Sequence, residues 1–146
     1  MPSSSSSIPK GWPNGIIYLH APSYSKKLTG NALKSLVLPV ADLPAKEESR
    51  KTNGPHTNVK ITKISSASHP ANGQNGLFAS HNLLPDSFIL PYLGYVHDQA
   101  DTNESSDYDL SLDREFGIGV DASVMGNEAR SVRSTRSSFR SSHSIQ

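Results

Sequence analysis

Hydrophobic and polar residues alternate most regularly between residues 108 and 120 of this chain. Over 108–112 a tyrosine and two leucines alternate with an aspartate and a serine, and over 116–120 phenylalanine, isoleucine and valine alternate with glycines. A period of two places successive side chains on opposite faces of a strand. Because only Asp113–Glu115 separates the two runs, the pattern predicts a β-hairpin.

Shorter apolar stretches predict the remaining elements. Strands are expected at Val59–Ile64, at Gly76–Ala79 and at Phe88–Val96, where β-branched and aromatic residues favour strand over helix. Upstream, Ile16–Leu19 is typical of a short strand or an isolated anchor, and Asn31–Val37 predicts a short helix that the following prolines limit. Since no long amphipathic helix is predicted, we expect an all-β fold built from short curved sheets.

Composition divides the chain into an ordered part and two flanks. The 146 residues have room for one domain at most, and a hydrophobic fraction of 34% with abundant serine and proline indicates partial disorder. We expect a mostly disordered Ser/Pro-rich region at 1–58, an ordered part at 59–130 and a disordered Ser/Arg-rich tail at 131–146. Cysteine is absent and the six histidines show no metal-ligand spacing, so neither a disulfide nor a metal site is expected.

Charge is strongly segregated along the sequence. Residues 1–70 hold nine Lys/Arg against three Asp/Glu, residues 71–130 hold two against ten, and the last sixteen residues hold three Arg and no acid. The acidic middle is typical of a surface that attracts a basic partner, such as a histone tail, and equally of an acidic loop that faces solvent. Nucleic acid is not expected as a partner, because no recognised motif interleaves aromatic with basic residues.

Targeting signals are not evident. The N-terminal Met-Pro and five serines lack the cationic and apolar regions of a signal peptide, and no stretch is long and apolar enough to span a membrane. The sequence therefore predicts a soluble intracellular protein, in the nucleus or the cytoplasm, with no membrane partner.

Four short motifs follow one another in the second half of the chain. They are Gly73–Gly76 (Gly-Gln-Asn-Gly), the apolar run Phe88–Gly94, Ser106–Tyr108 (Ser-Asp-Tyr) and Asp121–Arg130, which contains Asp-Ala and then Gly-Asn-x-x-Arg. In this order and spacing the motifs resemble the front half of a SET domain, the fold of protein-lysine methyltransferases that use S-adenosylmethionine. The resemblance covers roughly residues 59–130.

The resemblance implies a SET-type (β-clip) fold with a site for S-adenosylmethionine. In relatives the glycine turn brings backbone close to the cofactor, the tyrosine that matches Tyr108 lies beside it, and the arginine that matches Arg130 leads into the cofactor-binding strand. The run Phe88–Gly94 is interpreted as core, and no catalytic residue is assigned. The cofactor-binding residues expected on this basis are Gly73, Gln74, Asn75, Gly76, Tyr108 and Arg130.

The resemblance ends at Arg130. Relatives continue with Phe-Ile-Asn-His-Ser-Cys, whereas this chain continues with Ser131–Ser134, and nothing in its tail matches. We therefore expect a partial SET domain, truncated after the arginine, that lacks the lysine channel and transfers methyl groups inefficiently. The tail is compatible with a genuine Ser/Arg-rich isoform. It is also compatible with an artefact of reading frame or splicing.

Three functions are compatible with these features. The first is membership of the S-adenosylmethionine-dependent protein-lysine (histone) methyltransferase family, with little activity in this chain. The second is a non-catalytic interaction module whose acidic face binds a basic protein or histone tail. The third, an RNA-associated Ser/Arg protein, depends on the tail alone.

Overall fold

Short strands dominate the structure, a computed structural model that describes residues 8–35 and 55–132. Within these ranges lie eight strands, one short α-helix and two 3₁₀ helices. The prediction of an all-β fold with short sheets is confirmed. The elements are β1 (Ile17–Tyr18), β2 (Ser23–Tyr24), α1 (Gly30–Ser35), β3 (Val59–Lys63), β4 (Asn75–Ala79), β5 (Tyr95–His97), the 3₁₀ helix Gln99–Asp101, β6 (Asp109–Asp113), β7 (Ile118–Asp121), β8 (Met125–Gly126) and the 3₁₀ helix Glu128–Ser131.

The strands form three sheets. The largest has four strands in the order β2-β5-β7-β6, in which β5, β7 and β6 are antiparallel neighbours and β2 runs parallel to β5. A second sheet pairs β3 with β4 antiparallel, and a third pairs β1 with β8 parallel. Two of the three sheets therefore join strands that are distant in the sequence.

The predicted hairpin is present as β6 and β7. Leu110 pairs with Val120, and the register shifts between Ser111 and Asp113. The turn is held by the Asp113 carboxylate, which accepts hydrogen bonds from two backbone N–H groups that follow it. Burial does not follow the predicted alternation in β7, because this strand is central in its sheet and all four of its residues are buried.

The core lies between the four-stranded sheet and the segment around α1. Leu28 and Ala32 pack against Val96, Ile118 and Val120. The helix begins after a threonine whose hydroxyl oxygen accepts a hydrogen bond from the Ala32 N–H, which is a usual cap for exposed amides at a helix start.

The predicted strand Phe88–Val96 was wrong over most of its length. Only its last two residues belong to β5, and Phe88 is 54% exposed. Pro91 has no N–H to donate to a sheet ladder. The neighbouring polar groups are instead bonded by a side chain: Asn127 accepts from the Leu93 N–H at 3.2 Å and donates to the Pro91 carbonyl at 2.9 Å.

The region upstream of residue 59 contributes more structure than the sequence suggested. Residues 8–35 supply β1, β2 and α1, and each of these contacts elements from the second half of the chain. The partners are distant in sequence, so local patterning could not show them. The domain boundaries otherwise stay predictions. Residues 1–7, 36–54 and 133–146 of the predicted N-terminal region and tail lie outside the described residues. The end of the helix predicted to reach Val37 lies outside them as well.

Within 8–35 and 55–132, no helix has both the length and the apolar character needed to cross a membrane.

Candidate functional site

Five of the six residues predicted to bind a cofactor surround one small depression, which we call the polar cleft. Its volume is about 280 Å³, and its wall is completed by two residues that sequence reasoning missed. The residues that line it are Pro13, Gly73, Gln74, Asn75, Tyr108, Arg130 and Ser131. Three separate stretches of the second half of the chain therefore meet here, and one residue comes from the N-terminal segment.

The turn that forms one wall of the polar cleft needs glycine at one position. Gly73 has a φ of +84°, a region that other L-residues rarely adopt, and its N–H donates to the Ile64 carbonyl at 2.7 Å. The Ile64 N–H in turn donates to the Gln74 carbonyl at 2.8 Å, which closes the loop between β3 and β4. An added Cβ would meet nothing within 4 Å at Gly73, so backbone conformation is the reason for glycine there.

The sixth predicted residue, Gly76, does not line the polar cleft. It is buried in β4, where an added Cβ would lie 2.8 Å from the ring of Phe78 and 3.1 Å from the side chain of Ile64. The structure thus gives Gly76 a packing role, since the aromatic ring needs the space that a side chain would occupy.

Tyr108 and Arg130 form a stacked pair at the back of the polar cleft. The guanidinium carbon of Arg130 lies 4.3 Å from the centroid of the Tyr108 ring, a cation–π geometry. Arg130 also donates from Nε to the Ala122 carbonyl at 2.9 Å and from Nη2 to the Ser123 carbonyl at 3.3 Å. Nη1 makes no hydrogen bond to another described residue, so this donor remains for a ligand.

A buried carboxylate holds the tyrosine in place. Asp121 accepts from the Ser106 hydroxyl at 2.6 Å and from the Ser123 N–H and hydroxyl, both at 2.9 Å. The Ser106 oxygen accepts in turn from the Tyr108 N–H at 3.1 Å. The Asp-x-Ser spacing at 121–123 is a common local signal for such a turn, although the sequence did not reveal that Ser106 shares it.

A second depression, the apolar groove, lies on the other side of the Tyr108–Arg130 pair. Both of these residues line it as well, so the pair acts as a partition between the two spaces. The apolar groove has a volume of about 640 Å³ and is lined by Val59, Leu77, Phe78, Ala79, Leu83, Ile89, Leu90, Tyr92, Asp107, Tyr108, Leu110, Ala129, Arg130 and Val132.

Behind the 3₁₀ helix that carries Arg130 lies a buried polar cluster that the sequence did not predict. The Glu128 carboxylate, in a residue 1% exposed, accepts from the Tyr18 hydroxyl at 3.0 Å and from the His56 N–H at 2.9 Å, and the Nδ1 atom of His56 lies 3.1 Å away. Burial, and then the charge of Glu128 and its hydrogen bond, raise the pKa of Tyr18. This phenol therefore stays a neutral donor.

The lining of the polar cleft fixes what it can bind. It contains one guanidinium, two amide side chains, a serine and a tyrosine, but no carboxylate. Such a surface complements a carboxylate or another anion that carries further hydrogen-bonding groups. In the part of the chain that is described, no three His, Asp or Glu side chains are placed to hold a metal ion.

Comparison with known proteins identified no relatives. No protein-family model matches the chain, and no curated protein or solved structure matches it either.

Proposed function

We propose that this chain is a SET-type module of the S-adenosylmethionine-dependent protein-lysine methyltransferase family and that it binds this cofactor in the polar cleft. One observation carries the proposal: Gly73, Gln74, Asn75, Tyr108 and Arg130, singled out from separate motifs, line the same space. Since Gly73–Asn75 are consecutive, the five residues represent three motifs that meet at one small depression.

The chemistry of the lining fits one end of this cofactor. Arg130 could donate to the carboxylate of the amino-acid part, and Gln74, Asn75 and Ser131 could bond its ammonium and the ribose hydroxyls. When bound, S-adenosylmethionine supplies the methyl group. No carboxylate lines the cleft to favour its sulfonium charge, so affinity should come from the neutral and anionic parts of the ligand.

The proposal concerns binding more than turnover. Residues 131–134 depart from the family sequence that supplies an asparagine and a histidine, and nothing in the tail matches the part with which relatives build the lysine channel. Methyl transfer depends on positioning the amine in line with the sulfonium. We therefore expect cofactor binding with little or no methylation of histone or other protein lysines by this chain.

The first test is a calorimetric titration of the full chain with S-adenosylmethionine and, separately, with S-adenosylhomocysteine. Both should bind, and S-adenosylhomocysteine should bind at least as tightly because it lacks the sulfonium charge. Arg130→Gln should weaken both by about tenfold or more, since a hydrogen bond to a charged group contributes ~1.5–3 kcal/mol.

Two further variants make this test specific. Arg114→Gln removes an exposed arginine that lies outside the polar cleft, so it should leave binding unchanged. Asn75→Ala changes the cleft without touching the bonds that Arg130 makes to Ala122 and Ser123, which guards against a folding defect in Arg130→Gln. The proposal is refuted when neither ligand gives heat with a chain whose cooperative unfolding shows that it is folded.

A second candidate function is supported by different features. The apolar groove is larger than the polar cleft. Residues 55–132 carry ten Asp/Glu against four Lys/Arg, while residues 8–35 carry four Lys and no acid. We propose that this surface acts as an interaction module for a basic protein segment. The two candidates are compatible, because the Tyr108–Arg130 pair separates the two spaces.

A further inference from the structure

Asparagine directly precedes glycine four times in this chain, at residues 14–15, 53–54, 72–73 and 75–76. Such a pair is chemically labile, because the backbone nitrogen of the glycine can attack the side-chain carbonyl carbon of the asparagine. Glycine has no Cβ to obstruct this approach. The pair at 53–54 lies outside the described residues, and the surroundings of the other three differ.

The pair Asn14 and Gly15 lies in an exposed turn ahead of β1. A bond spans this turn, because the Trp12 indole N–H donates to the Ile16 carbonyl at 2.8 Å. Between these two residues, neither the Asn14 side chain nor the Gly15 N–H bonds to any group in the described part of the chain. A Cβ added at Gly15 would meet nothing within 4 Å, so packing does not shield the turn either.

The pair Asn72 and Gly73 is a close comparison. Asn72 is also exposed, Gly73 has a φ of +84° against +78° for Gly15, and a Cβ at either glycine would meet nothing within 4 Å. The difference lies in the attacking nitrogen, because the Gly73 N–H donates to the Ile64 carbonyl at 2.7 Å. The Asn72 N–H is bonded as well, to the His69 carbonyl at 2.9 Å. The Gly73 nitrogen must therefore give up a bond before it can react.

The pair Asn75 and Gly76 is protected by its sheet. Both residues belong to β4, and Gly76 is buried opposite Thr62 of β3. Bonded and non-bonded pairs alternate along an antiparallel ladder, and the Ile64 N–H donates to the Gln74 carbonyl at 2.8 Å just beyond the two strands. The alternation therefore gives the Gly76 N–H the Thr62 carbonyl as its acceptor. Attack within this pair requires β4 to leave the sheet.

We propose that Asn14 is a site of spontaneous modification, at which the folded chain converts asparagine to a mixture of aspartate and isoaspartate. The Gly15 nitrogen forms a bond to the Asn14 Cγ, the bond from Cγ to Nδ2 breaks, and the proton of the Gly15 N–H leaves with Nδ2 as ammonia. Water then opens the resulting succinimide at either carbonyl, which gives a carboxylate and either the normal main chain or one that runs through the side chain. No enzyme or cofactor takes part, so this inference is independent of the proposed function.

The modification changes the segment that joins the polar cleft to β1. Pro13, which precedes the modified residue, lines the cleft, and Ile17 begins β1. Residues 8–35 hold four Lys and no acid, so the product carboxylate is the first negative side chain in this segment. Isoaspartate also lengthens the main chain by a methylene between Trp12 and Ile16, which the indole hydrogen bond joins. Charge and chain length therefore both change next to the cleft.

The test compares the three pairs within one sample. The full chain is incubated at about pH 8, which favours the deprotonated amide nitrogen that attacks, both folded and unfolded in guanidinium chloride. Tryptic peptides are then mapped by mass spectrometry that distinguishes aspartate from isoaspartate. In the folded chain, Asn14 should be converted at least about tenfold faster than Asn72 or Asn75, because these two must first lose native bonds. In the unfolded chain, the three rates should lie within about threefold of one another, since no native bond protects any of them.

The sequence supplies clean assignments and a matched variant. Trypsin releases Asn14 in the peptide 11–26 and Asn53 in the peptide 52–60, so conversion at 53 does not interfere. Asn14→Gln keeps the amide and the neighbouring glycine but must close a six-membered ring, so peptide 11–26 should stay unmodified over the same time.

Two results overturn the proposal. The first is conversion of Asn14 in the folded chain that is less than about tenfold faster than conversion of Asn72, because the free Gly15 N–H would then make no difference. The second is a rate for Asn14 at least about tenfold below its rate in the unfolded chain, because the fold would then protect the turn.

Discussion

The hydrogen bonds of the His97 ring depend on its protonation state. The residue is 2% exposed, and both of its ring nitrogens face oxygen acceptors: Nδ1 lies 2.8 Å from the Asp98 carbonyl and Nε2 lies 2.9 Å from the Asp109 carboxylate. A Cβ on Gly119 would come within 2.9 Å of Nε2, so glycine opens the space for this contact. Only an imidazolium can donate to both acceptors at once.

The pKa of His97 makes stability depend on pH. Burial alone lowers this pKa, but the hydrogen bonds to the Asp98 carbonyl and to Asp109, together with the charges of Asp109 and Asp121, raise it overall. A raised pKa stabilises the folded state fully below the unfolded value of about 6.5, and this contribution is lost as pH rises through the folded pKa. We expect the thermal midpoint to fall on going from about pH 6 to about pH 9.

The control for this expectation is His97→Gln. Glutamine keeps a donor but has no charge to lose, so its unfolding midpoint should depend less on pH, and the variant should be ~1–3 kcal/mol less stable at about pH 6. An unaltered pH dependence in His97→Gln would show that other groups produce the slope.

At the scale of elements, sequence reasoning succeeded where a strand pairs with its neighbour along the chain. The β6–β7 hairpin was predicted because local alternation and turn residues specify it, whereas β3 and β4 were predicted as strands without their pairing. Phe88–Val96 failed, since its apolar composition does not reveal that Asn127 bonds its backbone from a distance. A side chain that bonds the backbone in place of a neighbouring strand produces no periodic pattern in the sequence.

The residues of the candidate site likewise differ in whether the local sequence indicates them. Short motifs indicated Gly73–Asn75, Tyr108 and Arg130, because residue identity and spacing can be read directly from the sequence. Pro13 was missed because it reaches the polar cleft from a distant part of the chain, and Ser131 was missed because it follows the last residue of the motif that contains Arg130. Gly76 was also expected to bind cofactor, but it leaves space for the Phe78 ring and does not line the cleft.

The role of Asn127 gives a prediction at this scale. Its residue is 0% exposed, so Asn127→Ala leaves the Leu93 N–H and the Pro91 carbonyl without a partner in a buried setting. We expect a loss of ~2–4 kcal/mol in the free energy of unfolding by urea, because each unsatisfied buried group costs about 1–3 kcal/mol.

Asn103→Ala is the matched substitution. Asn103 is exposed and bonds only within its own turn, to Ser105, so its loss should cost no more than about 0.5 kcal/mol. Similar losses in the two variants would mean that the side chain of Asn127 does not hold the 91–93 segment.

At the scale of the molecule, the N-terminal segment is an integral part of the fold. Strand β1 pairs with β8, Leu28 and Ala32 enter the core, and Tyr18 bonds to Glu128, two residues before Arg130 of the polar cleft. The buried Glu128 carboxylate therefore connects β1, the chain ahead of β3 and the 3₁₀ helix Glu128–Ser131. The sequence indicated none of this, because the three segments are far apart along the chain.

This connection is tested by Tyr18→Phe. The substitution removes one of the donors to a buried carboxylate, and we expect the free energy of unfolding to fall by ~1–3 kcal/mol. Tyr24→Phe makes the same chemical change at a tyrosine that is 53% exposed, and its effect should stay within about 0.5 kcal/mol.

A double-mutant cycle tests whether Tyr18 and Glu128 act together in stabilising the fold. When Glu128→Gln is present, Tyr18→Phe should cost less than in the native chain, because the bond to a charged acceptor has already been lost. If the N-terminal segment bears on the polar cleft, Tyr18→Phe should also weaken cofactor binding, whereas Tyr24→Phe should not. Additive effects of the two substitutions on stability would show that Tyr18 and Glu128 do not act together, and the N-terminal segment would then be held by sheet pairing and core packing alone.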